Sequence, residues 1–223
     1  MARVAKLPSS KSSADQSSKG GRPASGTLER RLEQLVNDAT QVFLQNGYGS
    51  TTLDLVAQKA HVAKRTIYRH FGGKEELFGA VVRQRIDTLV ALFPDVDADD
   101  GSLEQVLKGF AHELLAVVLS PETISLYRII TGEASRFPEL AQQFYNNGPA
   151  QVIALLARYL AHQQQLKKIQ LNDPETAAVQ LFSLIQGEFE RRAMLDIDQP
   201  YSAEQINQHV DDTIHFFLSA YRV

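Results

Sequence analysis

Apolar side chains in the first part of the chain recur at the spacing of a helix. Leu28, Leu32, Leu35, Val36, Ala39, Val42 and Phe43 share one stripe, and Asn46-Gly47 supplies a stop, which predicts a helix of about five turns. Thr51-Thr52-Leu53-Asp54 approximates a capping box, with Asp54 where Glu or Gln is usual, and starts a short second helix to about Ala60. His61-Val62-Ala63 is long enough only for a turn, and Lys64 to His70 forms a third helix of about two turns. Phe71-Gly72-Gly73 breaks it, and a fourth helix runs from Lys74 to about Leu92. Further helices are predicted at about 102–119, 122–135, 138–146, 149–168, 174–194 and 203–221. Pro121, Pro138, Pro149, Pro174 and Pro200 fall at or just before helix starts, where a missing amide proton costs little. No run alternates convincingly at period two, so the expected fold is all-α.

Composition adds exclusions. With 43% hydrophobic and 22% charged residues, the 223-residue chain can bury a core. It has no cysteine, which removes disulfides and thiolate chemistry. The longest apolar runs, such as Leu114 to Leu119, fall well short of the roughly eighteen residues that a membrane span needs. With no apolar signal segment at the N-terminus, no membrane partner and a cytoplasmic location are expected. The net charge of −3 hides an asymmetry: residues 1–72 carry 11 Lys or Arg against 5 Asp or Glu, and the remainder is acidic. The basic part suits a polyanion. Residues 1–26, rich in Ser and Gly with Arg3, Lys6, Lys11, Lys19 and Arg22, are expected to be a flexible basic arm, and 95–100 an acidic loop.

Catalytic and cofactor patterns are missing. None of the six histidines forms a His-x-x-x-His or His-Glu-x-x-His pair. Gly72-Gly73-Lys74 resembles the end of a phosphate loop, but Tyr68 replaces the upstream glycine and Glu75 the hydroxyl residue. Gly47-Tyr48-Gly49 has Thr52 in place of the third glycine of a dinucleotide fingerprint, and there is no G-x-S-x-G elbow. No enzyme, metal or cofactor is expected.

Three helices with a three-residue turn between the second and third can present one helix to the DNA major groove. On the third helix Ile67 and Phe71 share an inward face, which turns Arg65 and Arg69 outward with Lys64, Thr66, Tyr68 and His70 on the flanks. Lys74 opens the next helix, an unfavourable place for a cation unless an anion is near, which favours a phosphate there.

Residues from about Arg31 to Leu77 resemble the TetR/AcrR family of bacterial regulators. The resemblance is carried by Phe43, Gly47-Tyr48, Thr51-Thr52, Val56-Ala57, Ala60, Val62, Thr66-Ile67-Tyr68-Arg69-His70-Phe71 and Lys74-Glu75-Glu76-Leu77. Leu126-Tyr127-Arg128-Ile129-Ile130, Glu133-Ala134 and Arg136-Phe137-Pro138-Glu139-Leu140 look like the C-terminal region of an AefR-like subgroup. The resemblance implies a helix-turn-helix DNA-binding domain at 27–73 and a helical domain at 74–223 that dimerises and binds a small-molecule effector. It also implies repression of a double-stranded DNA operator, relieved by that effector. Carried over residue by residue, Lys64, Arg65, Thr66 and Arg69 approach bases, while Thr51, Thr52, Tyr68, His70 and Lys74 hold phosphates. Plain packing, capping or solvation is the competing account of each, Lys74 apart. Two departures stand out: His61 replaces the usual turn glycine, and Ala63 the usual serine cap.

Ile206, Val210, Ile214, Phe217 and Tyr221 form a stripe near the C-terminus, and Ala177, Leu181, Leu184, Ile185 and Phe189 another before it. Both suit either packing within the subunit or a four-helix contact in a homodimer. Because a single helix-turn-helix reads few base pairs, the dimer is the stronger expectation, with Leu181, Ile185, Ile206, Val210, Ile214 and Phe217 at the interface. An effector pocket is expected among Phe110, Leu114, Tyr127, Phe144, Tyr145, Phe182, Gln186 and Phe189. The other reading of the chain is a helical ligand-binding or scaffold protein whose basic N-terminal part meets an acidic partner.

Overall fold

The segments with helical spacing form ten α-helices in the computed structural model, which describes residues 25–92, 102–197 and 201–221. Among the described residues there is no strand. The basic arm lies outside the described residues except for Ser25 and Gly26, as do the acidic loop and Pro200. The helices are α1 (Ser25–Ser50), α2 (Leu53–Lys59), α3 (Lys64–Phe71), α4 (Lys74–Leu92) and α5 (Leu103–Val118). They continue as α6 (Pro121–Glu133), α7 (Pro138–Asn147), α8 (Pro149–Gln165), α9 (Pro174–Met194) and α10 (Ala203–Tyr221).

Local chemistry sets the ends. The helical path of α1 breaks at Gly47, whose φ of 73° a side chain would resist, so the predicted stop is realised inside the assigned span. Proline occupies the first turn of α6, α7, α8 and α9. Ser120 caps α6 by accepting from Thr123 N, and Asp173 caps α9 by accepting from Glu175 N and Thr176 N. Gly187 (φ 30°) kinks α9, a feature that its helical spacing does not announce.

Two cores follow from the buried stripes. The first joins Leu35, Ala39, Phe43 and Tyr48 of α1 to Val56, Ile67, Leu77, Phe78 and Val81, and closes on Leu126 and Ile130 of α6 and Leu140 of α7. At its centre the rings of Phe43, Tyr48 and Phe78 lie 5.2–5.8 Å apart, and Phe137 adds an edge contact to Tyr48 at 5.4 Å. The second core gathers Ile86 and Leu89 of α4 with the inward faces of α5, α8, α9 and α10. Helix α4 therefore belongs to both cores, its first half to one and its second half to the other. The expected division after residue 73 falls just ahead of this shared strut.

The stripes proposed for the dimer contact are corrected. Leu181, Ile185, Val210 and Ile214 are fully buried, Phe217 is 1% exposed, and Ile206 packs against the same core. Apart from Leu184, which is exposed, helical spacing identified the inward face of each helix, because the more hydrophobic stripe is the one the subunit buries. The opposite face of α9 and α10 exposes Val179, Leu184 and Phe216, the last 63% accessible, with Ser183 and Ala220 between them.

Candidate nucleic-acid interface and an apolar cavity

Helices α2 and α3 meet through Val56, Ala57 and Ile67, all buried. The turn between them closes with His61 N donating to Gln58 O (3.3 Å) and Val62 N to Ala57 O (3.0 Å). His61 takes the left-handed conformation (φ 52°), so the turn is kept with a side chain present. Ala63 gives α3 no side-chain cap, as expected from its methyl group.

Ile67 is buried and Phe71 half-buried, which orients α3 as predicted. Lys64, Arg65, Tyr68 and Arg69 are exposed, Tyr68 by 52%, and Thr66 and His70 are partly covered. Lys64 Nζ lies 2.9 Å from Asp54 Oδ2 on α2, and that hydrogen bond raises its pKa. The pair is open to water, so an incoming phosphate or base can compete for the lysine. Arg69 Nε donates to His70 Nε2 at 3.3 Å. Thr52 is exposed and caps α2 by accepting from Leu55 N at 3.3 Å.

Two expected phosphate ligands face inward. Thr51 is buried, its hydroxyl donating to Gly47 O at 2.6 Å, so the α2 cap is Thr52 rather than Thr51 and Asp54 is free to pair with Lys64. Lys74 Nζ donates to Tyr48 O at 2.8 Å and Thr51 O at 3.0 Å and lies 4.2 Å from the centre of the Tyr48 ring. The carbonyl dipoles and the negative face of that ring receive the ammonium, and the carboxylates of Glu133, Glu139 and Glu75 supply the negative charge that its position at a helix start demands. Desolvation lowers its pKa, with Glu133, Glu139 and Glu75 opposing.

The same turn is held from α6. Glu133 accepts from Tyr48 N at 2.9 Å and Gly49 N at 2.7 Å, and a Cβ at Gly47 would stand 2.7 Å from Glu133 Oε1. The turn immediately before Thr51-Thr52 is thus clamped by a carboxylate on one side and an ammonium on the other. The sequence carried Glu133-Ala134 only as part of a motif and gave no sign of this role.

A cavity of about 260 Å³ lies between α4, α5, α6, α7, α8 and α9. Leu114, Tyr127, Phe144, Tyr145, Phe182 and Gln186 line it as expected. Phe110 and Phe189 do not: Phe110 is core, and Phe189 packs on Tyr201 (4.3 Å) and His209 (4.5 Å) at a separate surface groove. Unforeseen wall residues include Val82, Arg85, Ile86, Leu89, Thr123, Leu126 and Glu190. Burial raises the Glu190 carboxyl; burial, and then the Glu190 charge, raise the Tyr127 phenol.

Glu188 pairs with Arg191 at 2.7 Å. Among the described residues no three His, Asp or Glu side chains gather to hold a metal, and no single helix is long and apolar enough to cross a membrane.

Comparison with known proteins agrees with this arrangement. Residues 35–81 match the model of bacterial regulatory proteins of the tetR family, and residues 105–223 match that of the AefR-like transcriptional repressor C-terminal domain. A TetR-family regulator from Mesorhizobium loti MAFF303099 is 30% identical with a TM-score of 0.74, over 87% of this chain and 98% of that one. The flavonoid-responsive regulator FrrA is 31% identical with a TM-score of 0.71 over the same shares. Among curated proteins, the transcriptional activator FasR of Mycolicibacterium smegmatis is 36% identical over 77 residues, 31% of this chain and 35% of FasR. The first curated relatives are matched over only 22–35% of their own lengths. With one model spanning more than half of the chain and the helix-turn-helix matched by the other, the protein belongs to the TetR family of DNA-binding transcriptional regulators, a non-enzymatic family, and carries an AefR-like C-terminal domain.

Proposed function

We propose that the protein is a homodimeric repressor that leaves a palindromic operator when a small molecule enters the cavity. One observation carries this reading: α6 lines the cavity with Thr123, Leu126 and Tyr127 and, from its last turn, clamps the α1–α2 turn with Glu133. A ligand that shifts α6 pulls on the backbone just ahead of α2, and so on the placement of α3. The exposed apolar faces of α9 and α10 are the contact surface for the second subunit, with Phe216 at its centre. Two copies of α3 then reach half-sites about 34–36 Å apart or wider. Residues 27–73 act as the DNA-binding unit, 74–223 bind ligand and partner subunit, and α4 is shared between them. Lys64, Arg65, Thr66 and Arg69 face bases; Thr52, Tyr68 and His70 face phosphates. Repression is the sign favoured by the description of the C-terminal family, although FasR is named an activator. The responsiveness named for FrrA supports a small-molecule effector, and the DNA target implies a cytoplasmic location.

Selection of duplexes bound by the purified protein from genomic fragments, at two salt concentrations, tests the reading. An inverted repeat whose affinity falls with salt is expected. Salt-sensitive binding with no sequence preference would overturn it and favour an acidic partner for the basic N-terminal part.

A further inference from the structure

Arg85 and Glu190 line the cavity, and among the described residues neither makes an ion pair. Arg85 of α4 lines its wall, and its Nε is fully buried with no hydrogen bond. Glu190 of α9 lines the same cavity, and among the described residues no ion pair joins it to Arg85 or to any other cation. The two groups differ in how they tolerate burial. A guanidinium cannot shed its charge in a protein, whereas a carboxyl relieves its desolvation by holding a proton. The cavity therefore presents a guanidinium, with one carboxyl, in a wall that is otherwise mostly Leu, Ile, Val and aromatic carbon. Among the described residues no hydrogen bond or ion pair engages the Arg85 guanidinium, so its terminal N–H groups remain for an acceptor in the cavity.

We propose that the cavity selects apolar organic monoanions, ring-bearing carboxylates in class, by pairing their carboxylate with Arg85 while the apolar walls enclose the ring. Arg85 is then the specificity-determining residue of the effector site. The inference rests on the effector reading above and deepens it. The carboxylate accepts charge-assisted hydrogen bonds from the guanidinium, which a neutral amide of the same shape accepts more weakly and an ammonium cannot accept at all.

The test is calorimetric titration of the full chain with three molecules on one scaffold: naphthalene-2-carboxylate, naphthalene-2-carboxamide and 2-naphthylmethylammonium. The carboxylate is expected to bind about tenfold or more tightly than the amide, with the ammonium weakest. Arg85→Gln should reduce the carboxylate to the level of the amide, Arg85→Lys should keep part of the preference, and Glu190→Gln should leave the order intact. Thermal unfolding of each variant identifies any that fails to fold, and the wild-type order decides the matter without them. Equal affinities, no binding of any of the three, or an ammonium preference that vanishes in Glu190→Gln would overturn the inference. Operator binding is measured separately, with and without the carboxylate. Selective binding that leaves operator affinity unchanged would remove the effector reading and keep the charge selectivity. Sequence-specific DNA binding with an indifferent cavity would do the reverse.

Discussion

Thr51 and Thr52 are neighbours with the same side chain, yet one is buried on Gly47 O and the other is an exposed cap. Thr51→Val should therefore lower stability by about 1 kcal/mol through its unmade hydrogen bond, with operator affinity following only as far as stability does; denaturant titration beside DNA binding checks this. Arg65 is exposed, and among the described residues it makes no ion pair. Arg65→Ala is expected to cost about 1–3 kcal/mol at its base position and relax preference there, while Tyr68→Phe weakens all sequences alike. Equal losses on operator and random DNA for Arg65→Ala would remove its base-reading role. At Glu190 the sign of the pH dependence follows from burial. Its folded-state carboxyl is raised, so the neutral form favours folding, and its contribution is full below the ordinary glutamate range and lost as pH rises through the raised value. The other titratable groups on the cavity wall are Arg85, Tyr127 and Tyr145, and burial raises the Tyr127 phenol away from the acid range. Melting temperatures of the wild type and Glu190→Gln across that pH range should diverge, with the variant flatter and more stable at neutral pH.

At the scale of elements, the α1–α2 turn is a loop held by its neighbours. Lys74 from α4 and Glu133 from α6 satisfy its carbonyls and amides from opposite sides. Helix α2 has only seven residues, too few to stand alone, so its direction depends on that turn and on Val56 and Ala57. Glu133→Ala should leave the half-buried amides of the turn without their acceptor, at a cost of about 1–3 kcal/mol, and weaken operator binding more than it lowers the melting point. Hydrogen exchange at Tyr48 and Gly49 is the direct readout; unchanged protection there would show that the clamp is idle. The existence and extent of each helix were legible because spacing, prolines and caps are local properties. The clamp was not, since it joins positions 48 and 133, and nothing local couples them.

At the scale of the whole molecule, the proposed subunit contact separates two adjacent phenylalanines. Phe217 is core, and a glutamate there is expected to unfold the C-terminal half, because a charge would replace a buried ring. Phe216 is exposed, so Phe216→Glu should give a folded monomer by light scattering, with an unchanged melting point at low concentration and poor operator binding. A dimer that persists in Phe216→Glu would place the contact elsewhere. The order of helices, the inward faces of α1, α3, α9 and α10 and the outward row of α3 were determined by the chain itself, because hydrophobic periodicity acts within one element. Only the tertiary structure decided which second face stays uncovered, which wall residues meet around the cavity, and that Lys74 is turned toward carbonyls. Each of those depends on where a distant element packs, and burial of a polar or charged group is priced by the partners it finds there rather than by its neighbours in sequence.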